Sequence, residues 1–454
     1  MNPQAATHTD GGPARPSRRA LVAGSAGNFI EWYEFGVYGY FATVIAANFF
    51  TPHGGGELEA LVKTYAAFAL AFFFRPLGAA LFGRVGDRAG RRPTLILVLL
   101  VMTAATTLIG ALPTYATAGA AAPWLLTVLR AVQGLCAGGE FGGAVAVLTE
   151  FAPRGKRGLY GAWQSFTVGL GLLAGAGFAA VLALAMDETA LNAWGWRLPF
   201  LLTLPLGLVA LWVRLRLDET PNFARAKGAS GPPEAASGPS KEAARVRGER
   251  AEPAPPLRTL GAIVLGAGRI MGWSAAGYTF LVVLPSYLQS TLDASFQQAL
   301  VATALANAGF TAVILPAGHL SDRIGRRAVM LTGAVLVVLL SLPLLRLLQD
   351  KDASQLAQGA GVFAAGAVVG LMAGPGPAML SEMFPTTVRY TGLGLAYALS
   401  NAVFSGCAGL IITEAVNRTG NADIPAYYAA LACVLSIPAL LTLRGGAHRR
   451  ALHD

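Results

Sequence analysis

One ten-residue pattern occurs twice, and it constrains this chain more than any other feature. Gly83 to Arg92 reads GRVGDRAGRR and Gly318 to Arg327 reads GHLSDRIGRR, so both obey G-x(3)-D-R-x-G-R-R. A second pair keeps nearly the same offset. Leu148-Thr149-Glu150 leads to Pro153 and Arg157, and Leu380-Ser381-Glu382 leads to Pro385 and Arg389. Two matched pairs on either side of one polar stretch imply a duplicated unit.

The repeated loops are set between long apolar runs. A membrane-spanning helix needs about 20 mostly apolar residues. Twelve segments qualify, at 20–48, 62–83, 93–112, 123–150, 158–186, 195–214, 259–288, 296–319, 328–348, 357–384, 388–415 and 424–443. Only 13% of the 454 residues are charged and 54% are hydrophobic, whereas soluble chains carry about 25% charge. Folding in water would leave too much apolar surface exposed. The expected fold is therefore an all-α membrane protein: twelve transmembrane helices in two pseudo-symmetric six-helix bundles, related by an axis along the membrane normal.

The boundaries follow from composition. Residues 1–19 are polar and rich in Pro and Gly, and are expected to be a disordered cytoplasmic N-terminus. The first bundle takes 20–215. Residues 216–258, rich in Pro, Ser, Gly, Glu, Lys and Arg, read as a flexible cytoplasmic linker. The second bundle takes 259–443, and 444–454 form a cytoplasmic tail. Ser17-Arg18-Arg19 before an apolar stretch resembles a twin-arginine signal. That stretch meets Glu31 and Glu34 and shows no small-residue cleavage site, so it reads as an uncleaved first helix.

The net charge of +10 does not mark a nucleic-acid binder. Its basic residues sit in short loops on alternate sides: Arg84, Arg88, Arg91 and Arg92; Arg154, Lys156 and Arg157; the linker; Arg323, Arg326 and Arg327; and Arg389. The opposite loops at 113–122, 187–194 and 289–295 hold no Lys or Arg. Lys351 and Arg418 are minor exceptions to this bias, which predicts both termini in the cytoplasm. Cys136, Cys407 and Cys433 lie in apolar segments, an odd number without metal-ligand spacing, and read as buried free thiols. No metal site or cofactor is expected beyond a proton as coupling ion. No G-x(4)-G-K-[ST] loop supports an ATP-driven pump, and no catalytic constellation supports an intramembrane enzyme.

Charges inside spans are costly and mark function by default. Glu31 and Glu34 are three residues apart, so they share a helix face. They fall roughly 16–21 Å from the helix start at 1.5 Å per residue, near mid-membrane. They are candidates for proton coupling and substrate binding, with Tyr33, Tyr38 and Tyr40 around them; a structural hydrogen-bonded pair is the alternative. The fourth helix carries Arg130 and Glu140, about 15 Å apart. Arg130 suits a substrate carboxylate or tunes a neighbouring carboxylate. Glu140 is a candidate titrating residue, or half of an Arg-Glu brace. Arg75 precedes Pro76 and meets either a substrate carboxylate or Glu31 or Glu34. Gln133, Gln164, Tyr278, Tyr287, Asn307 and Asn401 are candidate cavity-lining groups. A gating network is expected from Asp87, Arg88, Arg91, Glu150 and Arg157 with Asp322, Arg323, Arg326, Glu382 and Arg389. Pro375-Gly376-Pro377 reads as a hinge or a packing kink.

The loop pair resembles the signature of the major facilitator superfamily, and the chain resembles its metabolite:proton symporter family over nearly its whole length. The resemblance rests on Gly27-Asn28-Phe29-Ile30-Glu31-Trp32-Tyr33-Glu34-Phe35, Phe74-Arg75-Pro76-Leu77-Gly78, Arg130-Ala131-Val132-Gln133-Gly134, Gly138-Gly139-Glu140-Phe141-Gly142-Gly143-Ala144, Trp194-Gly195-Trp196-Arg197-Leu198-Pro199-Phe200, Glu219-Thr220-Pro221 and Phe384-Pro385-Thr386. The family usually has Asp where Glu34 stands. Drug antiporters of the superfamily carry a Gly-Pro pair in the fifth helix, absent here, and hexose porters a paired-glutamine motif in the seventh, also absent.

The resemblance implies a bacterial inner-membrane protein, expected as a monomer, that takes up a small polar metabolite with protons by alternating access. Trp194 to Phe223, with Pro285-Ser286-Tyr287-Leu288 and Pro425-Ala426-Tyr427-Tyr428, looks closest to the proline/glycine-betaine branch. The expected substrate is a zwitterion or monocarboxylate; a di- or tricarboxylate is the alternative, and a non-transporting receptor the alternative of another class. Osmosensing members of that branch carry a C-terminal coiled coil, and no heptads follow Arg449-Arg450.

Overall fold

The computed structural model describes residues 18–51, 56–89, 91–138, 141, 144–145, 148–149, 152–153, 155–215, 256–385 and 388–443, without the side chains of 18–24, 83, 86–89, 91–92, 214 and 256–258. The described residues form helices in the order expected. The first half holds α1 Arg18–Tyr40, α2 Glu57–Ala89, α3 Arg91–Ala111, α4 Ala121–Ala137, α5 Arg157–Ala185 and α6 Arg197–Leu215. The second holds α7 Pro256–Tyr278, α8 Phe296–Ile324, α9 Arg326–Gln349, α10 Gln355–Ala373, α11 Arg389–Ser400 and α12 Ile424–Leu441. Among the described residues nine helices are long and apolar enough to cross a membrane, or ten if the bent pair Glu188–Gly195 and Arg197–Val213 is one span. Two of the remaining expected spans explain themselves. α4 is described as helix only over Ala121–Ala137, and α1 carries Asn28, Glu31 and Glu34.

The same packing occurs in both halves. α1 lies against α5 as α7 lies against α11; α3 packs on α6 as α9 packs on α12; α2 packs on α4 as α8 packs on α10. Across the halves, α5 crosses α8, and α2 meets the continuation of α11 through Asn401–Gly406 and Ala408–Thr419. These pairings are what a two-fold relation between duplicated units requires.

Glycine sets the distance between α2 and α4. A Cβ on Gly134 would collide with the Ala71 carbonyl, and one on Gly138 with the Arg75 carbonyl. Small residues let the backbones touch without a hydrophobic drive between helices. The contact holds Arg75 and Arg130 at one level of the bundle. Large apolar side chains instead face outward, among them Leu184, Val209, Leu339 and Leu431, where lipid tails are the expected solvent.

Besides the Leu191–Gly195 turn that precedes α6, three helices relax into π geometry on the way across. α1 runs on through Ala42–Ile45 to Ala46–Phe50, α7 passes through Thr279–Val283 into Leu284–Leu292, and α11 passes into Asn401–Gly406. Such turns free backbone carbonyls. One is caught by Asn307, whose Nδ2 donates to Leu281 O at 3.1 Å. Asn307 therefore ties α8 to α7.

Candidate functional site

Two arginines are buried side by side in aromatic surroundings. Arg130 is 0% exposed and Arg75 is 3% exposed. The guanidinium carbon of Arg75 lies 4.6 Å from the centroid of the Phe35 ring and 4.3 Å from that of Phe72. That of Arg130 lies 5.0 Å from the same Phe35 ring, 4.2 Å from Tyr38 and 4.8 Å from Phe68. One phenylalanine ring thus serves two cations. The ring quadrupoles offset part of the desolvation of each guanidinium.

The carboxylates expected from sequence stand beside these cations, by two different routes. Glu31 Oε1 is 3.5 Å from Arg75 Nη2, an ion pair without hydrogen-bond alignment. Glu34 reaches Arg130 through neutral groups. Arg130 Nη1 donates to Gln133 Oε1 at 2.7 Å, Gln133 Nε2 donates to Thr106 Oγ1 at 2.6 Å, and Thr106 Oγ1 donates to Glu34 Oε2 at 2.8 Å. The helix spacing i, i+3 places both acids on one face of α1, as expected, but that face meets α2 at Glu31 and α3 at Glu34. Nε and Nη2 of both arginines have no hydrogen-bond acceptor. A buried guanidinium donor without an acceptor is costly, so the pair has donors to offer a polar group.

A cavity opens beside this layer at the seam between the halves. Trp32, Trp273, Tyr278, Tyr397 and Phe310 supply its aromatic wall, and Asn401 joins them. Trp32 also touches the arginine layer, with Arg75 5.6 Å from its ring centroid. Tyr278 packs edge-on to Phe72 at 5.5 Å, and its buried hydroxyl has no partner.

Both ends of the cavity are shut by contacts between halves. At the end bearing the repeated loops, Asp322 of α8 accepts from Gly158 N at 2.8 Å and Leu159 N at 2.9 Å. Lys156, the N-cap of α5, makes no side-chain cap of its own. The other half supplies it, a carboxylate at a helix N-terminus. Arg326 Nη1 donates to the same carboxylate at 2.8 Å, and its Nη2 to Glu382 Oε1 at 3.1 Å. Arg157 lies within electrostatic reach of Glu382, Arg326, Arg389 and Asp322. Nearer the cavity, Phe141 and Tyr397 stack with centroids 3.4 Å apart and planes at 8°. At the far end Tyr65 and Ser286 share a 2.6 Å hydrogen bond, and Thr43 Oγ1 donates to Gln289 Oε1 at 3.0 Å.

The structure therefore gathers Glu31, Glu34, Arg75, Arg130 and Gln133 into one layer and sets Tyr278 and Asn401 on the cavity wall. Three expected substrate residues are elsewhere. Tyr33 donates to Pro199 O at 3.1 Å, away from the cavity, because its helix face turns to α6. Tyr287 donates to Ala422 O at 2.8 Å near the far end. Gln164 pairs with Asn28, through Asn28 Nδ2 to Gln164 O at 3.1 Å, while its neighbour Ser165 lines the cavity. In the gate, Arg323 is exposed; successive helix side chains diverge by about 100°, so Arg323 turns away from the face that presents Asp322. Arg389 is buried, and its Nε donates to Phe384 O at 3.2 Å. Glu140 and Glu150 lie outside the described residues, as do the side chains of Asp87, Arg88 and Arg91, most of the linker and both termini.

Sequence reasoning missed Thr106, which bridges Gln133 and Glu34. A threonine in an apolar span carries no outward signal of that role. It also assigned nothing to Trp273 and Tyr397, since aromatic residues are common wherever helices pack.

The profile described as Sugar (and other) transporter matches residues 20–444. The chain belongs to the sugar (and other) transporter family. Curated relatives of this transporter include the proline/betaine transporter of Escherichia coli K12, 31% identical across 95% of this chain and 84% of that protein. The glycine betaine/proline/ectoine/pipecolic acid transporter OusA of Dickeya dadantii is 32% identical across 92% and 82%. The alpha-ketoglutarate permease of E. coli K12 is 35% identical across 86% and 85%. Among solved structures, the major facilitator proton:xylose symporter XylE superposes with a TM-score of 0.72 at 18% identity, covering 93% of this chain and 94% of that one. The partially occluded inward open form of XylE from E. coli gives 0.72 at 17%, covering 93% and 96%. At these identities the likeness is one of fold: this transporter has the major facilitator fold. Its relatives are transporters, not enzymes.

Proposed function

We propose that the chain carries a small zwitterion or monocarboxylate into the cytoplasm together with a proton, by alternating access. One observation carries the reading: Nε and Nη2 of Arg75 and Arg130, buried around the Phe35 ring, have no hydrogen-bond acceptor, Arg75 Nη2 being only ion-paired with Glu31 at 3.5 Å. A carboxylate accepts from such donors, and a fixed guanidinium fork orients it. The proline and betaine substrates named for its relatives are of this class.

Coupling follows from charge. Arg130 faces Glu34 through two neutral side chains, so its field is shared rather than spent on a direct pair. A substrate carboxylate arriving at Arg130 competes with Glu34 for that field. A proton taken by Glu34 offsets the negative charge that the substrate carboxylate brings to Arg130, and the two binding events favour one another. With the basic loops placed in the cytoplasm, the Asp322–Arg326–Glu382 cluster is the inner gate and the Tyr65–Ser286 contact lies at the outer one. Loaded with substrate and proton, the halves rock and exchange one seal for the other.

Uptake into proteoliposomes under an inward proton gradient tests the reading, with labelled glycine betaine, proline and 2-oxoglutarate. Gradient-dependent accumulation of betaine or proline, abolished by an uncoupler, is the expected result. Accumulation of 2-oxoglutarate alone would replace it with the dicarboxylate reading. That second reading has its own support: there are two arginines with idle donors, and the alpha-ketoglutarate permease is among the relatives.

A further inference from the structure

The last stretch of α7 carries the far-end seal, yet it is cut off from the rest of its helix. Ser286, which bonds Tyr65, and Gln289, which bonds Thr43, both stand on Leu284–Leu292. That segment follows the π turn Thr279–Val283. Its second residue is Pro285, which has no N–H to return to Leu281 O, four residues back. Left to itself, a helix end beyond such a break is free to tilt as a lid.

Both sides of the break are instead held by neighbours in the same half. On the near side the buried Asn307 of α8 donates Nδ2 to the freed Leu281 O at 3.1 Å and to Thr303 O at 2.9 Å. On the far side Tyr287 donates to Ala422 O at 2.8 Å, just before α12. The same hydroxyl accepts from Gln349 Nε2, at the end of α9, at 3.1 Å. Gln349 Nε2 also donates to Asp423 Oδ1 at 3.1 Å, and Arg346 Nη2 to Asp423 Oδ2 at 3.2 Å. At about 100° per residue, Ser286 and Gln289 share one helix face and Tyr287 points away from it. One face therefore seals against the first half while the other is tied to the second. α9 links the two ends of the cavity: it begins with Arg326, which holds Asp322 and Glu382, and ends with Gln349, which holds Tyr287.

Resting on the reading of this chain as an alternating-access carrier, we infer that Tyr287, Gln349 and Asn307 splint the broken end of α7 to the second half, so that the far-end seal on Ser286 and Gln289 opens by movement of that whole half and not by α7 swinging alone. The π turn is then a fixed bend and not a hinge. A rotation of the second half that closes one seal opens the other, with no separate lid to be timed.

Spin labels at three exposed positions of the cysteine-free full chain test the splint: Lys63→Cys on the first half, Ser290→Cys on the segment and Lys351→Cys beyond α9. Pulsed electron resonance in proteoliposomes reads the 63–290 and 290–351 distances. Tyr65→Phe with Thr43→Ala removes both bonds of the seal and leaves the segment itself unaltered. The longer 63–290 population should then grow roughly fivefold or more for two lost hydrogen bonds, while 290–351 stays single. Adding Tyr287→Phe keeps the ring and cuts the splint. The nine-residue segment is about 14 Å long, so a tilt of about 20° carries its tip about 5 Å, and 290–351 should gain a second distance displaced by that amount. A split 290–351 distribution while Tyr287 is intact overturns the splint, as does a single, unshifted one after Tyr287→Phe. An unchanged 63–290 distribution in the seal variant overturns the placing of the seal on this segment. Proteoliposome uptake judges the transport reading separately.

Discussion

Asp322 joins the two halves at the end of the cavity that bears the repeated loops, through Gly158 and Leu159, and replacing it with Asn has a calculable effect. The Asp322 carboxylate uses Oδ1 for Gly158 N and Arg326 Nη1, and Oδ2 for Leu159 N. An asparagine oxygen in the Oδ1 position keeps the Gly158 bond but turns its NH2 toward the Leu159 N–H, donor against donor. The bond to Arg326 loses its charge assistance, while Glu382 still holds Nη2. Loss of one hydrogen bond to a charged group costs about 1.5–3 kcal/mol. At about 1.4 kcal/mol per decade, the closed-to-open ratio of this gate should fall roughly ten- to hundredfold. Spin labels at Lys156→Cys and Arg323→Cys, both exposed and on opposite halves, read the gate by pulsed electron resonance in a cysteine-free background. The long-distance population should grow in Asp322→Asn. An unchanged distance distribution in folded protein would refute the claim that this carboxylate holds the gate.

Arg130→Lys replaces a fork by a point charge; substrate affinity measured by calorimetry should drop at least tenfold, and unchanged affinity removes Arg130 from the site. Glu34→Gln should abolish proton-driven accumulation in proteoliposomes yet retain substrate exchange, whereas retained accumulation assigns coupling elsewhere. Gly134→Val drives a side chain into the Ala71 carbonyl and should lower stability by about 1–3 kcal/mol, read as a lower melting temperature in detergent. Phe141→Leu removes a stacked pair worth about 0.5–1.5 kcal/mol, so the same spin-label distances should shift toward the open gate by roughly two- to tenfold.

Much of the architecture was legible because a membrane leaves few options. Long apolar runs must be helices with their backbone bonds satisfied internally, and a repeated loop fixes a duplicated topology. The charged members of the site were legible for the same reason: Glu31, Glu34, Arg75 and Arg130 stand alone in apolar runs, where each must earn its place. The facing of uncharged residues was not. A helix buried on most sides has no polar face to orient it, so Tyr33 and Tyr287 were indistinguishable from Tyr278 until their neighbours were known. Gln164 was misplaced by a single position; Ser165 reaches the cavity instead. Thr106 needed the tertiary contact between α1, α3 and α4 to acquire meaning.

The cap that Asp322 places on α5 has a consequence for how motion in this protein can be watched. The first turn of α5 is complete only while the halves touch, since its acceptor belongs to the other bundle. Each opening of that seam hands the Gly158 and Leu159 amides to water. Their hydrogen-exchange rates therefore count gate openings directly, at two named backbone positions and with no label attached.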